Sequence, residues 1–322
     1  MKQINLQPDL FNVHGATLPS IPMEVPETGD LADFVPGMKN DYVFSRDNLL
    51  VMINFLRSVW KEGAAEGLQL IGPTGSGKTS LPEQVCARLG VPLISVTGHD
   101  RLEVDDLIYQ TVATGGSTIT LDGPLTVAMR AGVPFLLNEI DLLDPGTLTG
   151  LNDIIERGFV LIKQTNELVK ARKGFCFIVT SNTAGGGDET GLYVGTRVQN
   201  LAFRDRFQKL VVGYPEPEVE RRILVGAFKI QDQVADSFVK VANMIRSAFE
   251  AGRGMDVTMS TRTLTRWVNL AVMYQEISKR GKAPVLYAVD LALANGTSPA
   301  VMTSIHEMIT QVFGVSDPSK AA

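Results

Sequence analysis

The sequence predicts an α/β fold, a doubly wound parallel sheet, followed by a separate helical subdomain. Three observations carry this. Short apolar runs alternate with helix-period segments between residues 68 and 180, the pattern of parallel strands joined by crossover helices. One strand-to-helix junction, Gly72-Pro73-Thr74-Gly75-Ser76-Gly77-Lys78-Thr79, fits G-x-x-x-x-G-K-[ST] at every fixed position. From Tyr214-Pro215-Glu216-Pro217 onward the apolar period is helical, broken at Gly252-Arg253-Gly254 and at Gly296-Thr297-Ser298-Pro299.

Taken in order, residues 1–44 carry Pro8, Pro19, Pro22, Pro26 and Pro36 with few periodic apolar positions, so an extended arm that wraps a neighbour, or a disordered one, is expected. Ser45-Arg46-Asp47 offers an N-cap, and Leu49, Leu50, Met52, Ile53, Phe55 and Leu56 give a helical apolar face ending near Gly63. Leu68-Gln69-Leu70-Ile71 reads as a short buried strand, and Ser80 to Leu89 as the helix whose positive N-terminus faces bound phosphates. Pro82 falls in the first turn or so of that helix, where a missing N–H is tolerated. Strands follow at 92–96, 133–138 and 175–180, with helices at 124–131 and 145–157.

An insertion at 100–123 holds a hairpin, Tyr109 to Ala113 and Ser117 to Leu121 around Thr114-Gly115-Gly116. A second hairpin runs from Phe159-Val160-Leu161-Ile162 through Gln164-Thr165-Asn166 to Glu167-Leu168-Val169. Residues alone leave two readings of both hairpins, edge decoration of the sheet or contact with a substrate. The expected organisation is an arm over 1–44, a core over 45–213 and a helical lid over 214–322.

Composition bounds the rest. A chain of 322 residues, 44% hydrophobic with mean hydropathy +0.09, can bury a substantial core as an ordinary soluble protein. No run approaches the ~18 apolar residues needed to span a bilayer. Met1-Lys2-Gln3-Ile4-Asn5-Leu6 lacks the apolar region of a secretory signal, so a cytoplasmic location is expected. Cys86 and Cys176 fall in a helix and a strand, as small buried thiols do, and His14, His99 and His306 form no metal-ligand spacing. A net charge of −5 gives no electrostatic footprint for nucleic acid, although a net count does not see a local basic surface.

The chemistry begins at the glycine-rich loop. Its glycines let successive N–H groups point at a β-phosphate, Lys78 reaches the β/γ-oxygens, and the Thr79 hydroxyl can ligate Mg²⁺. Gly72, Pro73, Thr74, Gly75, Ser76, Gly77, Lys78, Thr79 and Ser80 are therefore the candidate ATP-binding residues. Val133-Pro134-Phe135-Leu136-Leu137-Asn138-Glu139 is a buried strand ending in two polar residues, where nucleotide hydrolases place an acidic Mg²⁺ partner and then a glutamate base. Glu139 is the candidate base. Asn138 replaces the usual Asp; its amide can still bond a Mg²⁺-bound water but carries less charge. Phe175-Cys176-Phe177-Ile178-Val179 ends in Thr180-Ser181-Asn182, which makes Asn182 the candidate γ-phosphate sensor. Arg204 and Arg206, ahead of the helical part, and Arg262 in Ser260-Thr261-Arg262-Thr263 are the candidates for neutralising transition-state charge. The competing reading of each arginine is a surface ion pair.

With these residues in order, the chain resembles the AAA+ ATPases, and within them the MoxR branch, over about residues 45–313. The marks are Leu121-Asp122-Gly123-Pro124-Leu125, Asn138-Glu139-Ile140-Asp141 with the helix Leu148 to Glu156, Asp205-Arg206-Phe207, and Tyr214-Pro215 leading to Glu220 and Ile223-Leu224. Ser181-Asn182-Thr183 followed by Gly191-Leu192-Tyr193-Val194-Gly195-Thr196 is similar to the ATPase subunit of aerobic cobaltochelatases, and Asp122-Gly123-Pro124-Leu125-Thr126 to CbbQ/NorQ-type activators. The resemblance implies a hexameric ring with ATP and Mg²⁺, a von Willebrand A-domain partner, and a protein client that is remodelled or metallated. It also implies hairpins facing the pore, and an arginine, Arg206 first, acting on the neighbouring subunit's nucleotide. Two other readings of the residues stay open: a nucleotide-gated scaffold that hydrolyses ATP poorly, for which Asn138 speaks, and a small-molecule phosphotransferase, against which Arg206, Arg262 and the helical lid speak.

Overall fold

The computed structural model describes residues 1–13, 20–63, 66–187, 193, 195–252 and 254–315. His14, Pro19, Gly191, Leu192, Val194 and Arg253, all used in the sequence reading, lie outside the described residues. The chain divides into two compact units, residues 1–73 with 77–212 and residues 74–76 with 213–322.

The first unit departs from the sequence expectation at its start. Lys2–Leu6 (β1) and Ile21–Val25 (β2) pair antiparallel, Lys2 opposite Val25 and Leu6 opposite Ile21. Leu6, Phe11, Met23, Val25 and Phe44 are buried in one cluster with the helix Arg46–Glu62 (α1), so the described part of the expected arm belongs to its own core. Five prolines masked two short runs with apolar residues at alternate positions, Ile4 and Leu6, then Ile21, Met23 and Val25. Pro22 is tolerated because a two-stranded ribbon is all edge. Leu49, Met52, Ile53, Phe55, Leu56, Val59 and Trp60 form the buried face of α1, which stops where Gly63 takes φ 93°.

Next come Gly67–Ile71 (β3), Ser80–Leu89 (α2) and Ile94–Thr97 (β4). The insertion is a one-turn helix, Val104–Ile108 (α3), and a hairpin, Tyr109–Thr114 (β5) with Ser117–Asp122 (β6). Gly115 and Gly116 both have positive φ, which a two-residue hairpin loop requires. Pro124–Ala131 (α4) and Pro134–Asn138 (β7) follow. The helix expected over 145–157 is two pieces, Pro145–Thr149 (α5) and Asn152–Arg157 (α6), interrupted at Gly150-Leu151. A Cβ at Gly150 would stand 2.7 Å from Val104 Cγ2. Phe159–Ile162 (β8) and Glu167–Lys170 (β9) form the second hairpin, followed by Cys176–Ser181 (β10), Leu201–Arg204 (α7) and Phe207–Val211 (β11).

The main sheet is fully parallel with order β11-β3-β10-β7-β4. Its three inner strands are buried almost throughout, as parallel strands covered on both faces must be. The edge strand β11 is buried at Phe207, exposed at Gln208 and Lys209, half-buried at Leu210 and exposed at Val211, so it has no period-2 alternation that would mark it as a strand in the sequence. Cys86 and Cys176 are buried free thiols, and burial pushes Cys86 up to about 12.

The second unit is helical: Pro217–Phe228 (α8), Asp232–Glu250 (α9), Thr261–Met273 (α10), Pro284–Ala292 (α11) and Pro299–Phe313 (α12). Trp267 is its centre, with Phe238 edge-on at 4.6 Å and its indole N–H donated to Val285 O. Among the described residues no helix is long and apolar enough to cross a membrane.

Candidate active site

Parallel pairing puts the C-terminal ends of β3, β10 and β7 side by side, and each end carries one of the motifs read from the sequence. Gly72, the first loop residue, donates its N–H to Ser181 O on β10 at 3.2 Å. Gly75 and Gly77 take φ of 74° and 98°, left-handed backbone that favours glycine. α2 then starts at Ser80, so Lys78 and Thr79 stand at its N-terminus.

Lys78 is buried, and its Nζ donates to Gly72 O at 2.7 Å, Pro73 O at 2.9 Å and Asn182 Oδ1 at 2.9 Å. Thr79 Oγ1 donates to Asn138 Oδ1 at 2.8 Å. Two contacts thus bring together residues 104 and 59 positions apart in sequence. Asn138 is 7% exposed. Its oxygen accepts from Thr180 Oγ1 as well, at 3.1 Å, while its Nδ2 donates to Ser95 Oγ at 3.0 Å. An aspartate would lack that donor and would take the Ser95 hydroxyl as a donor instead.

Glu139 is exposed and takes φ 56°, left-handed for a residue with a side chain. Its backbone N–H donates to Thr180 Oγ1 at 3.1 Å, so the β10 hydroxyl bonds both residues at the end of β7. Arg206 is held by Glu156 on α6, Nη2 to Oε2 at 2.8 Å, and by the Ala202 carbonyl. Arg204 ends α7, and its Nε is buried without a partner among the described residues. Arg262 is exposed in the first turn of α10, whose N-cap Ser260 accepts from Thr263 N at 3.0 Å. Within the second unit, a Cβ placed on Gly75 would stand 2.6 Å from Ser260 Cβ and 3.6 Å from Arg262 Cβ.

The residues fit a nucleotide with its cation. Ser76 Oγ is buried without a partner among the described residues, the left-handed glycines leave the loop open to close approach, and the Lys78 ammonium is satisfied partly by loop carbonyls that a phosphate can replace. Thr79 and Asn138 present two oxygens, the donor type a hard divalent cation takes.

Thr180 and Ser95 take part in this arrangement, as does Asp141, whose Oδ2 accepts the Asn182 N–H at 2.7 Å, and none of the three was singled out from sequence. Thr180 had a detectable signal, a polar residue two before the candidate sensor where an apolar strand turns polar. Ser95 had none, because a lone serine in a short strand is unremarkable.

The chain matches the AAA domain (dynein-related subfamily) over residues 67–207 and the CbbQ/NirQ/NorQ C-terminal family over 220–312. It is 30% identical over 227 residues to Protein NorQ of Paracoccus denitrificans, covering 70% of this chain and 78% of that one. Protein CbbQ of Hydrogenophilus thermoluteolus is 29% identical over 227 residues, covering 70% and 79%. The aerobic cobaltochelatase subunit CobS of Sinorhizobium sp is 28% identical over 259 residues, covering 76% and 75%.

Proposed function

This chain belongs to the MoxR-type AAA+ ATPases, with NorQ, CbbQ and CobS among its relatives, and from that premise we propose that it is a ring-forming motor that binds ATP with Mg²⁺ at the strand ends and hydrolyses it. Hydrolysis drives remodelling, activation or metal insertion in a protein client, together with a von Willebrand A-domain partner, in a hexameric assembly in the cytoplasm. The observation that carries this reading is the pair of contacts Lys78–Asn182 and Thr79–Asn138, which gathers the loop, the β7 end and the β10 end into one site.

In this reading the loop N–H groups and Lys78 bind the phosphates, and Thr79 with Asn138 holds the cation. Bound there by Thr79 and Asn138, Mg²⁺ would supply neutralisation of phosphate charge. Glu139, exposed and presented by its left-handed turn, takes the proton of the attacking water. Asn182 orients that water, so Lys78 has to release Asn182 Oδ1 as it turns to the phosphates. Arg206 and Arg204 serve the neighbouring subunit's site, for which Arg206 leaves Glu156; Arg262 serves from the lid. A second reading, a nucleotide-gated scaffold with weak hydrolysis, is favoured by the neutral Asn138.

A coupled ATPase assay beside calorimetry and a sizing run separates the two. We expect Lys78→Ala to abolish ATP binding, and Glu139→Gln to bind ATP while losing at least ~10²-fold in turnover. A wild-type protein that assembles with ATP yet turns over no faster than Glu139→Gln is the scaffold. A Lys78→Ala protein with unchanged affinity sinks the site itself.

A further inference from the structure

One carboxylate that the motif reading leaves without a task lies at the centre of the strand-end network. Asp141 sits in the single turn Ile140–Leu142 directly after Glu139, with none of its surface exposed. Its Oδ2 accepts two backbone N–H groups, from Asn182 at 2.7 Å and Thr183 at 3.2 Å. Its carbonyl accepts the N–H of Arg197 at 2.8 Å. Among the described residues it is the one buried carboxylate of the first unit. An isolated buried charge is costly, and bonds from oriented N–H groups are what offset the cost.

Those bonds tie down the two residues on which hydrolysis turns. Asn182 lies between opposite charges: its side-chain oxygen accepts from the Lys78 ammonium at 2.9 Å, and its backbone N–H donates to the Asp141 carboxylate. On the other side, Glu139 is a non-glycine residue at φ 56°, a conformation that persists only when its surroundings over-determine it. Asp141 anchors the turn that follows Glu139, and Thr180 Oγ1 accepts from the Glu139 N–H. The same carboxylate therefore joins the base-bearing turn to the sensor-bearing strand end. Because position 138 is an amide, this negative charge two residues beyond Glu139 is the one buried at the end of β7.

We infer that Asp141 is a positioning residue of the hydrolytic step, fixing the place of Asn182 relative to Glu139 and so governing turnover without governing nucleotide affinity. This rests on the strand ends being the ATPase site, and the test separates the two ideas. In the full-length nucleotide-free protein, amide hydrogen exchange is followed at Asn182 and Thr183. Hydrogen bonds to a charged acceptor are lost in Asp141→Ala, so exchange there should rise by ~10-fold or more. Asp141→Asn keeps one oxygen acceptor and should give a smaller rise; it also carries the test if the alanine variant does not fold. In the same variants, affinity for a non-hydrolysable ATP analogue should stay within ~3-fold, while kcat falls on the order of 10–100-fold.

Adding Asp141→Asn to Asn182→Ala should lower kcat little further, since both act through one geometry. Unchanged exchange in both variants overturns the anchoring. Unchanged kcat, affinity lost in step with kcat, or fully additive losses in the double variant overturn the positioning role. If exchange rises as expected while Lys78→Ala still binds the analogue normally, the anchoring stands and the site assignment fails.

Discussion

Arg246 in the second unit and Arg130 in the first make the same chemical contact in opposite surroundings. Arg246 on α9 meets Glu220 on α8 with two parallel N–H···O bonds of 2.7 and 2.8 Å, and the two side chains are 7% and 0% exposed. Arg130 on α4 makes two such bonds to Glu167, also 2.7 and 2.8 Å, plus two of 2.7 and 3.4 Å to Asp122, with exposures of 37% for the arginine and 47% and 32% for the acids. Equal geometry does not mean equal worth. A buried pair is strong because losing one partner strands a charge away from water, whereas water and salt replace an exposed partner at little cost.

The two forks also hold different things. Arg246 donates its Nε to Met259 O at 2.7 Å, Glu220 accepts from Thr261 Oγ1 at 2.7 Å, and Tyr214 lies over the guanidinium at 4.3 Å. The pair thus fixes the residues that start α10 and lead into Arg262. Arg130 ties Asp122, the last residue of β6, to Glu167, the first of β9, and so joins the two hairpins. Those hairpins leave Val112, Ile119, Leu121, Leu161 and Leu168 exposed; the second still buries Val160, Ile162 and Val169 in the core of the first unit, whereas no strand residue of the first is buried, so the first has the less packing of its own to hold it.

The largest effect expected follows from the buried fork. Glu220→Ala should destabilise the protein by ~3–5 kcal/mol, read by denaturant unfolding of the full chain, because Arg246 is left buried without its carboxylate. Replacing both partners together, Glu220→Leu with Arg246→Met, should recover much of that loss. Recovery would be incomplete, since Met259 O and Thr261 Oγ1 lose their partners too. A single-variant loss below ~1 kcal/mol would show that burial is not what separates the two forks.

A smaller effect tests a buried carboxylate given no arginine. Asn138→Asp keeps an oxygen for Thr79 and Thr180 but loses the N–H donated to Ser95 Oγ. Without divalent cation we expect a loss of ~1–3 kcal/mol, since a buried charge replaces a neutral amide even when the Ser95 hydroxyl turns to donate to it. Mg²⁺ with nucleotide should restore it, giving this variant a steeper Mg²⁺ dependence of thermal midpoint than the wild type. Parallel curves for the two proteins across a Mg²⁺ titration would refute the cation role of position 138.

What could be read from the sequence follows the same division between local and distant causes. The loop, β3, α2 and the polar ends of β7 and β10 were legible because each is set by spacing within a dozen residues. Asp141 was quoted within a motif, but its partners are 41 and 42 residues away, and nothing in its neighbourhood says which N–H groups it will meet. Glu220 was quoted only within a motif and Arg246 was not singled out, since a buried charge is recognisable only once its partner is known. Arg206 was chosen by its setting, yet its pairing with Glu156 depends on where the broken helix α5–α6 ends. β1 and β2 were hidden among prolines because their strand signal is only two or three alternate apolar residues long.

The smallest effect is expected at the exposed fork, and it sharpens the comparison most because salt and pH can both remove it. Arg130→Ala should lower the thermal midpoint by no more than about 2–4 °C in low salt, as exposed pairs of this kind contribute little. That difference should shrink in ~1 M salt, where screening acts within about 3 Å. The hydrogen bonds from Arg130 hold the Glu167 carboxyl below its ordinary value of 4.5. A lowered folded-state value means that the contribution is fully present above about 4.5 and is lost as pH falls through the folded-state value. Arg130 itself keeps its charge throughout, since the two acids push its titration further up. The wild type and Arg130→Ala should therefore differ at pH 7 and converge only once the pH has fallen below the lowered folded-state value of Glu167. Amide exchange over 109–122 and 159–170 supplies the structural readout. Both hairpins should loosen together in Arg130→Ala, whereas Glu167→Gln should loosen chiefly the second. If only one hairpin responds to Arg130→Ala, the arginine supports that hairpin alone and does not join the two.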